Sequence, residues 1–105
     1  MPEGSKEVIF RNDIASVVAA IRAVLATHPY RDTREDGERA TFETNIEIPW
    51  SLVNMPLTIT VIAQGGQTVV NAIVRSRWWA GIDPYGSRDT SIRKFFAALS
   101  QRINQ

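Results

Sequence analysis

Few side chains in this chain could do covalent or metal chemistry. There is no cysteine and a single histidine, His28. Without cysteine there is no disulfide framework, thiolate zinc site, iron–sulfur cluster or cysteine nucleophile. One imidazole cannot build a multi-histidine metal site. His28 stands before Pro29 at the end of an apolar-periodic stretch, where a histidine ordinarily faces the last carbonyls of a helix. Asp32, Glu35, Asp36 and Glu38 gather at a polar turn. A general acid or base needs a shaped, partly desolvated pocket, and a hairpin tip is a poor place for one. Asp83 precedes Pro84 and reads as a turn former. No nucleophile, base and orienting group stand at a spacing that assembles a reaction. The expectation is a non-catalytic protein with neither cofactor nor metal.

Binding chemistry is easier to find. Arg75 and Arg77 are two apart, so on a strand they share a face and could grip a carboxylate or phosphate. Trp78 and Trp79 then point to opposite faces. Trp79 falls on the side of the two arginines, a stacking platform for an aromatic ligand, a base or a partner. Trp50 is a candidate rim residue. The bland alternative is that the tryptophans cover the open end of a small core. Gly86-Ser87-Arg88 precedes a predicted helix N-terminus but matches no phosphate-loop pattern. Arg93, Lys94 and Arg102 read as a solvated helix face.

These residues are positioned by elements that the hydropathy pattern outlines. Residues 1–6 are expected to form a loose tail, with residues 7–105 as one domain. Glu7 to Phe10 is a short strand. Asn12 or Asp13 caps a helix whose Ile14, Val17, Val18, Ile21, Val24 and Leu25 recur at offsets of three and four. Pro29 ends it. Tyr30 to Arg34 reads as a polar edge strand, and Asp36-Gly37 as a tight turn. Ala40, Phe42, Thr44, Ile46 and Ile48 then alternate with polar residues, a strand with one buried face. Leu57 to Gln64 and Gln67 to Arg77 flank Gly65-Gly66, a two-residue hairpin. Its register pairs Val61 with Val70, Ile59 with Ala72 and Leu57 with Val74 on one face. A last helix from Ser87 or Asp89 to Ile103 turns Ile92, Phe95, Phe96 and Leu99 inward.

The expected fold class is α+β. The order is β-α-β-β-β-β-α, a five-stranded antiparallel sheet in order 1-5-4-3-2 with both helices on one face. The other face is then open. Its hairpin part comprises Thr58, Thr60, Ile62, Val69, Asn71 and Ile73, uncharged up to Arg75 and Arg77. Part-apolar open faces mark contact surfaces, and a homodimer is the simplest. The alternative is that β-branched residues merely suit strands.

The whole-chain figures agree. The 105 residues suit one domain, and a formal net charge of +1 argues against a general nucleic-acid binder. The charge is uneven: residues 1–49 carry net −3, residues 75–105 net +4, and residues 50–74 none. There is no signal-peptide pattern and no apolar run of membrane-spanning length, so a cytoplasmic protein without membrane contact is expected.

In element order, residues 7 to 103 resemble the β-α-β4-α repeat of the TATA-box-binding protein. They also resemble a shrunken helix-grip domain, the fold of many lipid and hormone binders. The helix-grip resemblance implies a small apolar or anionic ligand between the sheet and the last helix, lined by Trp78, Phe95, Phe96 and Trp50. The TATA resemblance implies nucleic acid on the sheet face, the weakest of the three readings because that face lacks lysine.

Overall fold

The computed structural model describes residues 3–47, 55–75 and 87–104. Asp13 begins the first helix, α1 (Ile14–Leu25): its carboxylate accepts from the Ser16 backbone N–H at 3.4 Å and from the Ser16 hydroxyl at 2.6 Å. Those bonds hold Asp13 below its ordinary pKa, the hydroxyl contributing most. Val17, Ile21, Val24 and Leu25 of α1 are buried, as their spacing predicts. The second helix, α2 (Ser87–Ile103), buries Ile92, Phe95, Phe96 and Leu99 in the same core.

Five strands complete the fold: β1 (Glu3–Phe10), β2 (Tyr30–Asp36), β3 (Thr41–Ile46), β4 (Met55–Gln64) and β5 (Gln67–Arg75). They form one antiparallel sheet in order β1-β5-β4-β3-β2, which is the expected arrangement. Gly65 and Gly66 have φ of 58° and 82°. This left-handed geometry, easy for glycine alone, matches the twist of a two-residue hairpin. The turn sets the predicted register, Val61 opposite Val70 and Ile62 opposite Val69. Leu57, Ile59, Val61, Val70, Ala72 and Val74 are then all buried beneath the helices. A slip of one residue would turn this set toward water.

Four boundaries differ from expectation. β1 begins at Glu3, so most of the segment read as a tail lies in the sheet: Gly4 pairs with Val74 and Lys6 with Ala72. The stretch has no apolar alternation, and its partner strand supplies the order. β2 runs on to Asp36 and bulges between Arg31 and Arg34, with Asp32 at φ 54°. Ala40 precedes β3 at φ 49°, and its carbonyl accepts from the Val61 N–H. β4 starts at Met55 and so includes Pro56.

At the bulge the buried Thr44 hydroxyl donates to the Arg31 carbonyl at 3.1 Å and meets the Thr33 hydroxyl at 2.8 Å. Two backbone residues of β2 oppose one of β3 there, and these hydroxyls fill the gap in the ladder. The buried Thr68 hydroxyl donates to the Asn12 carbonyl, fastening the start of β5 to the turn before α1.

Candidate functional site

Two regions carry the residues singled out from the sequence. The first is the open sheet face. Its central patch is assembled as expected: Ile62 pairs with Val69, Thr60 with Asn71 and Thr58 with Ile73, all turned away from the helices. The neighbouring strands extend each row. Ile9 joins Val69 and Ile62, Glu7 joins Asn71 and Thr60, and Glu43 stands beside Thr58. Ile9 and Ile62 are 56% and 53% exposed, whereas Val69 between them is buried. The hairpin's part of this face is uncharged, yet it is bounded by a carboxylate on each side. The hairpin alone could not show that, because Glu7 and Glu43 are brought in by pairing with distant segments.

The second region is the end of the sheet where Tyr30 pairs with Ile46 and Ile46 with Met55. The described chain leaves the sheet here at Glu47 and at Arg75 and rejoins it at Met55. Trp50, Arg77, Trp78 and Trp79 lie outside the described residues, and Arg75 is described through its backbone pairing with Glu3. Phe95 and Phe96, expected to line a ligand space, are closed within the core. Their rings meet edge-on at 5.2 Å, and Phe95 meets Tyr30 edge-on at 6.3 Å. Burial pushes the Tyr30 hydroxyl up to about 12.

The polar candidates are placed apart. The His28 ring is exposed, 3.8 Å from Glu47, which also lies 3.8 Å from Arg31. Glu35 accepts two hydrogen bonds from Arg22 of α1, and the guanidinium lowers the Glu35 pKa. Asp36 accepts from the backbone N–H groups of Glu38 and Arg39, the work of a turn residue. Among the described residues no group of three His, Asp or Glu side chains could hold a metal ion. No helix among them is long and apolar enough to cross a membrane.

Open grooves occur at the surface. One of about 710 Å³ lies at the β2 bulge between Asp32, Arg34, Glu43 and Asn45. Two others, of about 250 and 340 Å³, follow the seam between the helices, sharing Ala23 and Arg102.

No protein-family model matches this sequence, and no curated protein matches it. Solved structures do match in fold. The di-domain ARO/CYC BexL from the BE-7585A biosynthetic pathway has a TM-score of 0.69 at 16% identity, covering 99% of this chain and 47% of that one. Ara h 8.0201 gives 0.64 at 10% identity over 96% of both chains. A START superfamily protein from Mycobacterium smegmatis gives 0.57 at 9%, over 98% of this chain and 97% of that one.

The fold is of the helix-grip type.

The helix-grip resemblance read from element order therefore holds, and the resemblance to the TATA-box-binding repeat gains no support from these structures. This helix-grip chain spans about half the length of the di-domain protein. Sequence reasoning missed Tyr30, which it read as the start of a polar edge strand. The signal was available: Tyr30 is the one aromatic residue in an otherwise polar run, YRDTRED.

Proposed function

We propose that this chain is a small-molecule-binding domain that takes an apolar or anionic ligand at the Tyr30 end of the sheet, beside α2. The observation that carries the reading is the helix-grip fold, matched from end to end by Ara h 8.0201 and the START superfamily protein, because this fold class binds small ligands. Two features support it. The tryptophan-bearing segments are tethered to the sheet at this end, through Glu47, Met55 and Arg75. Apolar surface with a few polar groups is also what small-ligand sites offer. Trp50 and Trp78 are the residues proposed to contact a ligand beside α2; Arg75, Arg77 and Trp79, with Trp50 at the rim, are those proposed for a ligand lying on the open face. Tryptophan fluorescence titrated with fatty acids and organic phosphates tests the reading. A saturable change is expected, and a flat response across the panel overturns it.

The ARO/CYC neighbour makes catalysis possible in this fold class. The proposal remains a binding role, since of the carboxylates at the turn Glu35 is committed to an ion pair with Arg22 and Asp36 to the backbone of its turn.

A second reading is self-association through the open sheet face. The exposed Ile9 and Ile62 beside Val69 favour it, as does the uncharged centre of the patch. Size exclusion with light scattering should then give a dimer. A monomer at tens of micromolar counts decisively against it.

A further inference from the structure

β2 does not run as a regular strand. Arg31 pairs with Asn45 and Arg34 with Glu43, and the bulge lies between them. Three residues apart, two side chains of a regular strand point to opposite faces. The extra residue brings Arg34 round to the open face, directly opposite Glu43. The groove of about 710 Å³ opens here, lined by Asp32, Arg34, Glu43 and Asn45 and completed by Pro56 and Thr58 of β4. Small-molecule sites span about 300–1,000 Å³.

Opposite charges that face each other across two strands ordinarily pair. Charges around this groove do so: Arg31 lies 3.8 Å from Glu47, Arg39 lies 3.8 Å from Asp36, and Glu35 is held by Arg22. Among the described residues, the side chains of Asp32, Arg34 and Glu43 make no ion pair and no hydrogen bond. The chain that joins Glu47 to Met55 carries no charge, so it brings no counter-ion to the groove. One guanidinium and two carboxylates are thus left open on a single groove.

That set selects a ligand by charge. A guanidinium is a two-pronged donor to a carboxylate, and a carboxylate accepts from an ammonium group. A simple dication would leave Arg34 unanswered, and a simple anion would meet two like charges. A molecule with one carboxylate and two ammonium groups answers all three, and its single net positive charge complements the groove. Arg34 and Glu43 face each other, which suits a carboxylate and an ammonium on one carbon atom.

We propose that the bulge groove binds a basic amino acid of the lysine type: Arg34 receives its carboxylate, Glu43 the neighbouring ammonium, and Asp32 the ammonium at the far end. The groove lies on the face away from the helices, so this site stands independently of the small-molecule reading given above.

Three related probes separate the charges: L-lysine, cadaverine, which lacks the carboxylate, and L-norleucine, which lacks the far ammonium. Each is titrated into the nitrogen-15-labelled full chain while the backbone amides of residues 31–34 and 43–45 are followed. Lysine should bind more tightly than either analogue by about twofold to fivefold, the range of one solvent-exposed ion pair. Arg34→Gln should erase the preference for lysine over cadaverine. Asp32→Asn should erase the preference for lysine over norleucine. Both side chains are exposed, and asparagine accepts the left-handed backbone at residue 32, so the variants keep the fold. Equal affinities for the three probes overturn the site. So does a preference that survives its own substitution, or the absence of any shift at these amides in the full chain.

Discussion

Ile9 and Ile62 stand on either side of Val69 in one row across the open sheet face, on β1 and β4, both more than half exposed. Val61, next to Ile62 in sequence, is 2% exposed on the other face. One residue of separation thus divides an exposed apolar row from the core.

That division predicts opposite outcomes for two neighbouring lysines. Ile62→Lys should leave the melting temperature nearly unchanged and shift a dimer to monomer in light scattering. Ile73→Lys, on the same face, should do the same. Val61→Lys places an unpaired charge in the core and should cost several kcal/mol, enough to abolish the cooperative melt. Reversed outcomes would mean that the two faces have been exchanged.

The ion pair between Arg22 and Glu35 ties α1 to β2, and it sets a pH dependence. The guanidinium lowers the Glu35 pKa below its ordinary 4.5. Stability from the pair is therefore present above about 4.5 and lost as pH falls through the lower, folded-state value. Asp13, lowered by Ser16, acts in the same direction. Thermal melts from pH 6 to 3 should show a falling midpoint. Glu35→Gln should flatten part of that fall, and an unchanged slope would count against the pair.

Tyr30 predicts the alkaline counterpart. Its folded-state pKa, about 12, lies above its ordinary 10.0. The folded state holds its proton longer, so the contribution is complete below pH 10 and is lost as pH rises toward 12. Denaturant melts at pH 9 and 11 should separate the wild type from Tyr30→Phe. The variant should lose less stability over that interval, and equal losses would contradict the buried hydroxyl.

Thr44 fills the gap made by the bulge. Thr44→Val keeps the volume but removes the donor to the Arg31 carbonyl and the partner of Thr33. A cost of about 1–2 kcal/mol is expected in chemical denaturation. Backbone amide exchange should speed up around residues 31–34 more than at the β4–β5 hairpin.

The hairpin and helices were legible because their signals are local. Gly65-Gly66 sets a register by turn geometry, and α1 shows its buried face by spacing alone. The strand order followed from packing two apolar helix faces on one sheet. What stayed hidden depends on partners far away in the chain. The Glu3–Lys6 half of β1 has no apolar pattern of its own and is ordered by β5. Glu7 and Glu43 reach the open face only through pairing. The bulge in β2 has no sequence mark beyond Asp32, a residue type that tolerates a left-handed backbone. Tyr30 went unnoticed because its neighbours are polar, although its own side faces the core. Trp50, Arg77 and Trp79 lie outside the described residues, and residue type is what marks them for a ligand.

The bulge at Asp32 has a bearing on how the molecule avoids its own kind. β2 is an outer strand of the sheet, and six of its seven residues are exposed, five of them charged. A flat, regular margin would offer its free backbone groups to any passing strand. Here the left-handed residue bends that margin, and its charges keep it hydrated. Lateral growth into a ribbon is disfavoured on this side, so a face-to-face contact through Ile9 and Ile62 would not seed a fibre from this border.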